Sequence, residues 1–223
     1  SLGLVGSEMC IRDRYRYGRG DLEMIFRGAE AIVEKIDWQG FPAVSKIRNE
    51  RSYRHPDLEK RLVKERLRSE SRIIERLLSD GISVPSIYEV NVGKSQIIME
   101  FIDGITLEKG LRTDNFEEYL VSSAKLLSQI HSSSIVHGDP TTSNFMILDK
   151  LYAIDFGLSS FDDDAESRAS DLRVFLESLE AHHSEILGRD IFLAAYSKWS
   201  QSKEVLNALE VLELRGRYNL MRG

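Results

Sequence analysis

Several features are scarce in this sequence, and each scarcity excludes a class of protein. There is one cysteine among 223 residues, so no internal disulfide framework can form and nothing indicates secretion. No apolar run approaches the ~20 residues that a membrane-spanning helix needs. The net charge of −6 argues against a strongly basic nucleic-acid binder, although local basic patches remain compatible with it. We therefore expect a cytoplasmic protein with no membrane contact.

The composition that remains is that of a folded protein. Hydrophobic residues make up 42% and charged residues 30%, which favours a globular chain over a disordered one. The beginning is different, because residues 4–14 back-translate into a sequencing adaptor that ends in a transposase recognition sequence. We interpret residues 1–14 as translated adaptor, with a short disordered leader or failed signal peptide as the alternative. They are excluded from fold prediction.

The most informative stretch runs from His137 to Asn144 and is followed by Asp155-Phe156-Gly157. Residues 145–148 and 151–154 read as two short apolar strands of a hairpin, which would return Asp155 to the side of Asn144. One carboxylate near a substrate hydroxyl, with an amide and a carboxylate for magnesium, is the minimum set for moving the γ-phosphoryl group of ATP. Asp and Asn in loops more often cap turns, but two motifs at this spacing favour the catalytic interpretation.

This spacing matches the catalytic loop and metal-binding tripeptide of protein kinases, with His137-Gly138-Asp139 where most kinases carry His-Arg-Asp. His137 is then interpreted as a loop-packing histidine rather than a general base. His131, at the end of a predicted helix, is interpreted as a helix-end histidine rather than a catalyst.

The chain before this stretch predicts strands and one long helix. Residues 22–33 read as strand, turn and strand, with Gly28-Ala29-Glu30-Ala31 at the turn, where a kinase covers the ATP phosphates with backbone N–H groups. With only one glycine this signal is weak, and a plain hairpin is the alternative. Residues 41–47 predict a third strand carrying Lys46, which in a kinase binds the α- and β-phosphates. A solvated strand lysine is the alternative.

Residues 58–78 have a broadly helical apolar pattern with a gap near residues 69–71. A kinase needs one glutamate on this helix to pair with Lys46. We predict Glu70, with Glu65 and Glu75 as competing carboxylates. Arginines are frequent before and within the helix, and a solvated face or a tRNA-contacting patch would both explain them. Those before it are Arg48, Arg51 and Arg54, next to His55.

Residues 86–91 and 95–101 predict a hairpin that turns at Gly93. Residues 102–104 break the apolar run and mark a boundary between residues 15–102 and 103–223. In a kinase the backbone of Glu100 and Ile102 would bind adenine, with Met99 lining the pocket. Ordinary core filling is the alternative for Met99.

The second half predicts helices over residues 115–131, from Asp171 onward, and over residues 186–199 and 203–214. The acidic run at residues 162–166 is most simply a solvated helix N-terminus. The chain after Gly157 is short and contains no Ala-Pro-Glu element. We therefore expect a minimal kinase that needs no activation-loop phosphorylation and lacks a peptide-binding groove.

Six motifs together resemble one family, the PRPK-like, archaeal-type small atypical kinase/ATPase subunit of the KEOPS complex. The motifs are residues 28–31, 45–48, 53–56, 137–144, 154–159 and 215–217. The resemblance implies an α+β, two-lobed protein-kinase-like fold. Its N-lobe (15–102) would be a small antiparallel sheet with one long helix, and its C-lobe (103–223) a reduced, mainly α-helical unit with a short basic tail.

The resemblance also implies roles. Lys46 and Glu70 would form an ion pair, Asp139 would be the catalytic base, and Asn144 and Asp155 would bind Mg²⁺ beside ATP. Asp171 would brace the catalytic loop. Arg215 and Arg217, on a tail, would touch the partner enzyme or tRNA.

The implied activity is Mg-ATP-dependent serine/threonine kinase or ATPase activity in tRNA threonylcarbamoyladenosine modification. The implied partners are the threonylcarbamoyl transferase and other KEOPS subunits. Two alternatives stay open, a free-standing RIO-like or small-molecule phosphotransferase and a non-catalytic pseudokinase scaffold. One departure concerns Pro140, because the family usually has leucine there and proline removes a backbone donor next to Asp139.

Overall fold

The computed structural model describes residues 25–27, 31–49 and 55–220. The predictions made for residues 1–14, for Gly28, Ala29 and Glu30, and for Arg51 and Arg54 lie outside the described residues.

The N-terminal half is a five-stranded antiparallel sheet with strand order β1-β2-β3-β5-β4. The β2–β3 turn places Gln39 and Gly40 at positive φ, and Gly40 N–H donates to Asp37 Oδ1 at 3.0 Å. The third strand and the later hairpin are confirmed, each with ends shifted by a residue or more. The strands are β1 Ile25–Arg27, β2 Ala31–Trp38, β3 Phe41–Arg48, β4 Ile87–Asn91 and β5 Gln96–Glu100.

One long helix, α1 (Pro56–Ser79), packs against this sheet and confirms the predicted helix. Proline at the first helical position costs no intrahelical hydrogen bond there. The helix runs unbroken through the gap in its apolar pattern, where Glu70 and Ser71 are buried. A polar residue on the buried face of a helix needs a partner, so the gap marks a polar contact rather than a helix break.

The C-terminal half is mainly helical and carries two small sheets, ordered β6-β8-β9 and β7-β10. The helix and hairpin predicted around the catalytic stretch are confirmed. The elements are β6 Ile105–Thr106, α2 Leu107–Gly110, α3 Phe116–Ser132, β7 Ile135–Val136, β8 Phe145–Ile147, β9 Leu151–Ala153, β10 Ser160–Phe161, α4 Ala165–His182, α5 Gly188–Tyr196 and α6 Ser202–Leu220.

The helix boundaries that differ most from the prediction are the start of α4 and the end of α6. Helix α4 begins at Ala165 and not at Asp171, because the Asp164 side chain accepts hydrogen bonds from Glu166 N and Ser167 N and caps the N-terminus. The acidic run is therefore a helix cap, and Asp171 lies within the helix. Helix α6 continues to Leu220, past the glycine at residue 216, so the expected tail is helical where the structure describes it.

The main apolar core lies among the helices of the C-terminal half. It includes a stack of fully buried rings in which Phe175 lies 4.1 Å from Phe192, centroid to centroid, and meets Phe145 edge-on at 5.9 Å. Of the described helices, none is both long and apolar enough to cross a membrane.

Candidate active site

The loop between β7 and β8 holds Asp139 and Asn144 in contact. Asn144 ends a short 3₁₀ turn, and its Nδ2 donates to the Asp139 carbonyl at 2.8 Å and to Asp139 Oδ2 at 3.1 Å. Gly138 adopts a φ of +84°, and a Cβ there would lie 2.3 Å from the carbonyl oxygen of Leu158. Only glycine fits this position, which gives a steric reason for the glycine directly before Asp139.

The β8–β9 hairpin returns Asp155 to this loop. Ile154 N–H donates to the Asn144 carbonyl at 2.9 Å, so the two motifs are joined by a backbone hydrogen bond. Asp155 has a φ of +61°, an uncommon conformation for a residue other than glycine. Its Oδ1 accepts from Gly157 N–H at 3.2 Å, and its side chain is 52% exposed.

Lys46 connects the sheet to both sides of the site. Its Nζ lies 2.6 Å from Glu70 Oε1 and 2.6 Å from Asp155 Oδ1. Glu70 is therefore the carboxylate that meets Lys46, whereas Glu65 lies on the exposed side of α1 beside Arg61. Burial acts to lower the pKa of Lys46, but the two carboxylates outweigh it and hold that pKa above its ordinary value.

The same ion pair acts on Asp155. Burial alone would raise the pKa of Asp155, but the Lys46 ammonium and the Gly157 N–H outweigh it and keep that pKa below its usual range. Asp139 behaves in the opposite way. Burial, with the charge of Asp155 adding to it, raises the pKa of Asp139 despite the hydrogen bond from Asn144. The site thus holds one carboxylate that stays ionised and one that is a stronger base than an ordinary aspartate.

Asp171 braces the loop from below. Its Oδ2 accepts from His137 N–H at 2.7 Å and its Oδ1 from Gly138 N–H at 2.8 Å. His131 Nε2 also lies 3.1 Å from Oδ2, while its Nδ1 lies 2.7 Å from the Tyr196 hydroxyl. Burial lowers the pKa of His131, so the neutral ring donates from Nε2 and accepts at Nδ1. No sequence pattern predicted this link to Tyr196.

His137 packs against Phe156 with ring centroids 4.8 Å apart, and its Nε2 lies 3.1 Å from the Ile154 carbonyl. It is fully buried, and that burial lowers its pKa, although the carboxylates around it act in the other direction. These contacts fit the predicted packing role.

Sequence reasoning missed Arg48. The pattern grouped it with arginines on a solvated face, but it is buried and its Nη2 lies 2.5 Å from Glu70 Oε2. The alternation of side chains along β3 was the available signal, because residues 46 and 48 must share one face.

The donor set fits a magnesium ion. No donor in the described part of the chain reaches Asn144 Oδ1 or Asp155 Oδ2, so two oxygen ligands are available. Magnesium prefers such ligands and commonly takes one or two carboxylates, with substrate phosphates and waters completing the shell. No cluster of three or more His, Cys, Asp or Glu side chains that could hold a metal by itself occurs among the described residues.

The residues predicted around adenine line the join between the two halves. Met99 packs with Leu67 and Ile97 in a small apolar cluster under the sheet. Glu100 N–H donates to the Ser86 carbonyl at 2.8 Å, and the Glu100 carboxylate accepts from Ser86 N–H at 3.1 Å. The N–H of Ile102, by contrast, meets no acceptor among the described residues.

The predicted contacts at the two ends of the site are described only in part. Of the phosphate-covering turn, the structure describes Ala31, which opens β2 and is buried. Arg215 lies on helix α6 and pairs with Glu166 at 2.8 Å, and the side chain of Arg217 lies outside the described residues. The placement on a tail was therefore wrong, because α6 packs along α4 and is joined to α5 by a 2.5 Å pair between Arg189 and Glu213.

Solved structures of low sequence identity share this fold. The Rio2 kinase–ADP/Mg²⁺–phosphoaspartate complex from Chaetomium thermophilum aligns with a TM-score of 0.64 at 15% identity, covering 87% of this chain and 70% of that one. A second Rio2 structure from the same organism gives a TM-score of 0.63.

Sequence comparisons identify closer relatives. A probable bifunctional tRNA threonylcarbamoyladenosine biosynthesis protein of Methanospirillum hungatei is 41% identical over 86% of this chain, which spans only 36% of that protein. The KEOPS complex subunit Bud32 of Pyrococcus abyssi is 33% identical, over 88% of this chain and 96% of that one. The corresponding subunit of Dictyostelium discoideum is 34% identical over 87% and 82%. The profile of the ABC1 atypical kinase-like domain matches residues 21–187. The chain therefore belongs to the Bud32 family of ABC1 atypical kinase-like proteins.

Proposed function

We propose that this protein is a Mg-ATP-dependent atypical serine/threonine kinase or ATPase that acts as a subunit of the KEOPS complex in tRNA threonylcarbamoyladenosine modification. The observation that carries the chemistry is the convergence of two pairs, Lys46 with Asp155 and Asn144 with Asp139. The Ile154 N–H joins the two pairs by donating to the Asn144 carbonyl. A phosphate-binding lysine, a carboxylate base and two oxygen ligands for magnesium are the side chains that phosphoryl transfer from ATP requires.

Each side chain has a role that its contacts support. Lys46, held by Glu70, would bind the α- and β-phosphates, and Asn144 Oδ1 with Asp155 would hold the magnesium ion that neutralises phosphate charge. Asp139 would accept the proton of the attacking hydroxyl or water, for which its raised pKa suits it. The free N–H of Ile102 is a donor suited to an adenine ring nitrogen.

We place the boundary between the two lobes at residues 102–103, after the last strand of the large sheet. The turn at residues 28–31 would cover the phosphates from above, with Met99 behind the adenine. This division puts the nucleotide between a lobe that supplies Lys46 and one that supplies the base and metal ligands.

The partners follow from the relatives' names. Two of them are named subunits of the KEOPS complex, and the first four curated relatives are named bifunctional proteins of which this chain spans 36%. We propose that the protein works with the threonylcarbamoyl transferase subunit and other KEOPS subunits. Arg215 and Arg217, on the outer end of α6, would contact the transferase or tRNA once the exposed Arg215–Glu166 pair opens.

Magnesium-dependent ATP hydrolysis tests this proposal directly. The protein would be assayed alone and with the transferase, beside Asp139→Asn, Asp155→Ala and the surface control Asp149→Asn. We expect low activity alone, stimulation by the transferase, and loss of activity in the first two variants only. Activity that survives in both of those variants would contradict the proposed site.

A free-standing RIO-like phosphotransferase is the second candidate, favoured by the shared fold with Rio2 kinase. The same assay separates the two. Strong hydrolysis or phosphotransfer that the transferase does not change would support the free-standing enzyme over the complex-bound subunit.

A further inference from the structure

Glu70 is held by two cations and not by one. Side chains two apart on a strand share a face, so β3 directs both Lys46 and Arg48 toward helix α1. Lys46 Nζ lies 2.6 Å from Glu70 Oε1, and Arg48 Nη2 lies 2.5 Å from Glu70 Oε2. Glu70 is 2% exposed, so these two contacts satisfy a carboxylate that water hardly reaches.

The guanidinium of Arg48 also touches the metal-binding segment. Its Nη2 lies 3.4 Å from the carbonyl oxygen of Gly157. A Cβ at Gly157 would lie 3.1 Å from that nitrogen and 3.1 Å from Asp155 Oδ1, so the segment fits closely under the arginine. Arg48 therefore joins strand β3, helix α1 and the loop that carries Asp155 in one contact.

This arrangement matters when phosphate groups compete for Lys46. In the structure Lys46 is fully engaged by Glu70 and Asp155. If Lys46 stays on Glu70 and also bonds to phosphate oxygens, its charge is shared, and a buried glutamate held by lysine alone would lose part of its compensation, which is costly. A second cation that does not contact the nucleotide would keep Glu70 paired throughout.

We propose that Arg48 is a positioning residue that holds Glu70, and with it helix α1 and the Asp155 loop, in place while Lys46 engages the nucleotide. This inference rests on the proposed nucleotide-binding function. It explains how a site with only a short segment between Gly157 and α4 can be assembled in advance. Arg48 acts through Glu70 and Gly157, so it affects turnover more than ground-state nucleotide affinity.

Steady-state kinetics of Arg48→Ala and Arg48→Lys test this role. The control is Arg61→Ala on helix α1. It removes an exposed ion pair in which Arg61 Nε lies 3.3 Å from Glu65 Oε1. Because small misplacements of catalytic groups are costly, we expect kcat of Arg48→Ala to fall about tenfold or more with KM for Mg-ATP within about threefold. Arg48→Lys keeps the positive charge but lacks the planar guanidinium, so its kcat should lie between those of the wild type and Arg48→Ala. Wild-type kcat in Arg48→Ala would overturn the proposal.

Hydrogen exchange gives a second readout that needs no catalysis. Backbone amides of α1 around Glu70 would be followed with and without a non-hydrolysable Mg-nucleotide. We expect Arg48→Ala to lose more protection in the nucleotide-bound state than in the free state, because only there does Lys46 share its charge with the phosphates. Equal loss in both states would mean that Arg48 serves folding alone, and would overturn the proposal. This readout also covers the case in which Arg48→Ala folds poorly, since Arg48→Lys can replace it.

The two proposals fail in different ways. If the wild-type protein binds no Mg-nucleotide, the proposed function fails and the nucleotide-linked role of Arg48 fails with it. If the wild-type protein binds and hydrolyses ATP while the Arg48 variants match Arg61→Ala, only the positioning role is overturned.

Discussion

The two sides of the cleft are held by different forces. On the sheet side the small apolar cluster of Leu67, Ile97 and Met99 is accompanied by the charged cluster around Glu70. On the helical side, Asp171 and the ring of His137 hold the catalytic loop on a large aromatic core. A charged ligand that binds one member of an ion pair weakens that pair, whereas it leaves the close packing of apolar side chains unchanged.

The difference indicates which side responds to ligands. Lys46 and Asp155 neutralise each other in the structure, and the proposed function would direct Lys46 to phosphate and Asp155 to magnesium. The loop carrying Asp139 is held differently, because its backbone N–H groups at His137 and Gly138 donate to a buried carboxylate on α4. Under the proposed function, the base and its loop would be preassembled, and the Lys46–Asp155 ion pair is the contact that would change when a nucleotide binds.

The largest effect should come from removing part of the aromatic core. Phe175→Ala deletes a fully buried ring stacked on Phe192, and we expect a loss of about 3–5 kcal/mol in the free energy of unfolding. Urea denaturation measures it. Phe41→Ala, where the ring is 64% exposed, is the matched control and should change stability by about 0.5 kcal/mol or less. Similar losses in the two variants would show that the aromatic core does not hold the helical side of the cleft.

A smaller loss is expected from Asp171→Asn. The substitution keeps the shape but replaces one acceptor by a donor that faces a backbone N–H or the His131 ring. We expect a loss of about 1–3 kcal/mol in unfolding free energy, since buried donors are left without acceptors. Turnover should fall with KM for Mg-ATP little changed. The exposed Asp149→Asn serves as the control, and unchanged turnover in Asp171→Asn would show that the brace is dispensable.

The pH dependence of activity sharpens the comparison through Asp139. Burial raises the pKa of Asp139, and only the ionised form can accept a proton. As pH falls through this raised pKa, kcat/KM should therefore decline, beginning above the value of about 3.9 typical of an aspartate. A pH–rate profile, restricted to pH values at which the fold is intact, measures this decline. An acid limb at or below the ordinary value would contradict it.

Asp139 should also affect stability, in the opposite direction to activity. A carboxyl group whose folded pKa is raised contributes stability at low pH and loses it as pH rises through the folded pKa. At pH 7 the ionised Asp139 is therefore unfavourable for folding. We expect Asp139→Asn to unfold at a higher urea concentration than the wild type at pH 7, and a lower midpoint would contradict the raised pKa.

The smallest effect is expected for Pro140→Leu. Thr141 N–H and Asn144 Nδ2 both donate to the Asp139 carbonyl, so the loop is held by the residue before the proline and needs no donor at position 140. Turnover should change modestly, with a stability loss of about 0.4–1 kcal/mol through the unfolded state. Nucleotide titration is the critical measurement, because loss of nucleotide binding would show that proline shapes the site.

The sequence predicted most of the fold because its patterns are local. Strand β3, helix α1 and the β8–β9 hairpin each follow from apolar periodicity and from turn residues within the segment. The errors occurred where distant contacts decide. Helix α6 continues through a glycine because it packs on α4 and pairs with α5, and such packing outweighs the modest helix propensity cost of one residue.

The site divides in the same way. The motif spacing by itself determined that Asp139, Asn144 and Asp155 would meet, since one short hairpin connects them. Only the tertiary structure decided that Arg48 is buried beside Glu70, and that His131 and Tyr196 stand behind Asp171. The identity of a charged or aromatic residue does not by itself indicate whether its side chain lies on the surface or in the core. Which of the two it occupies depends on elements that are far apart in the chain, and so on the packing of the whole fold.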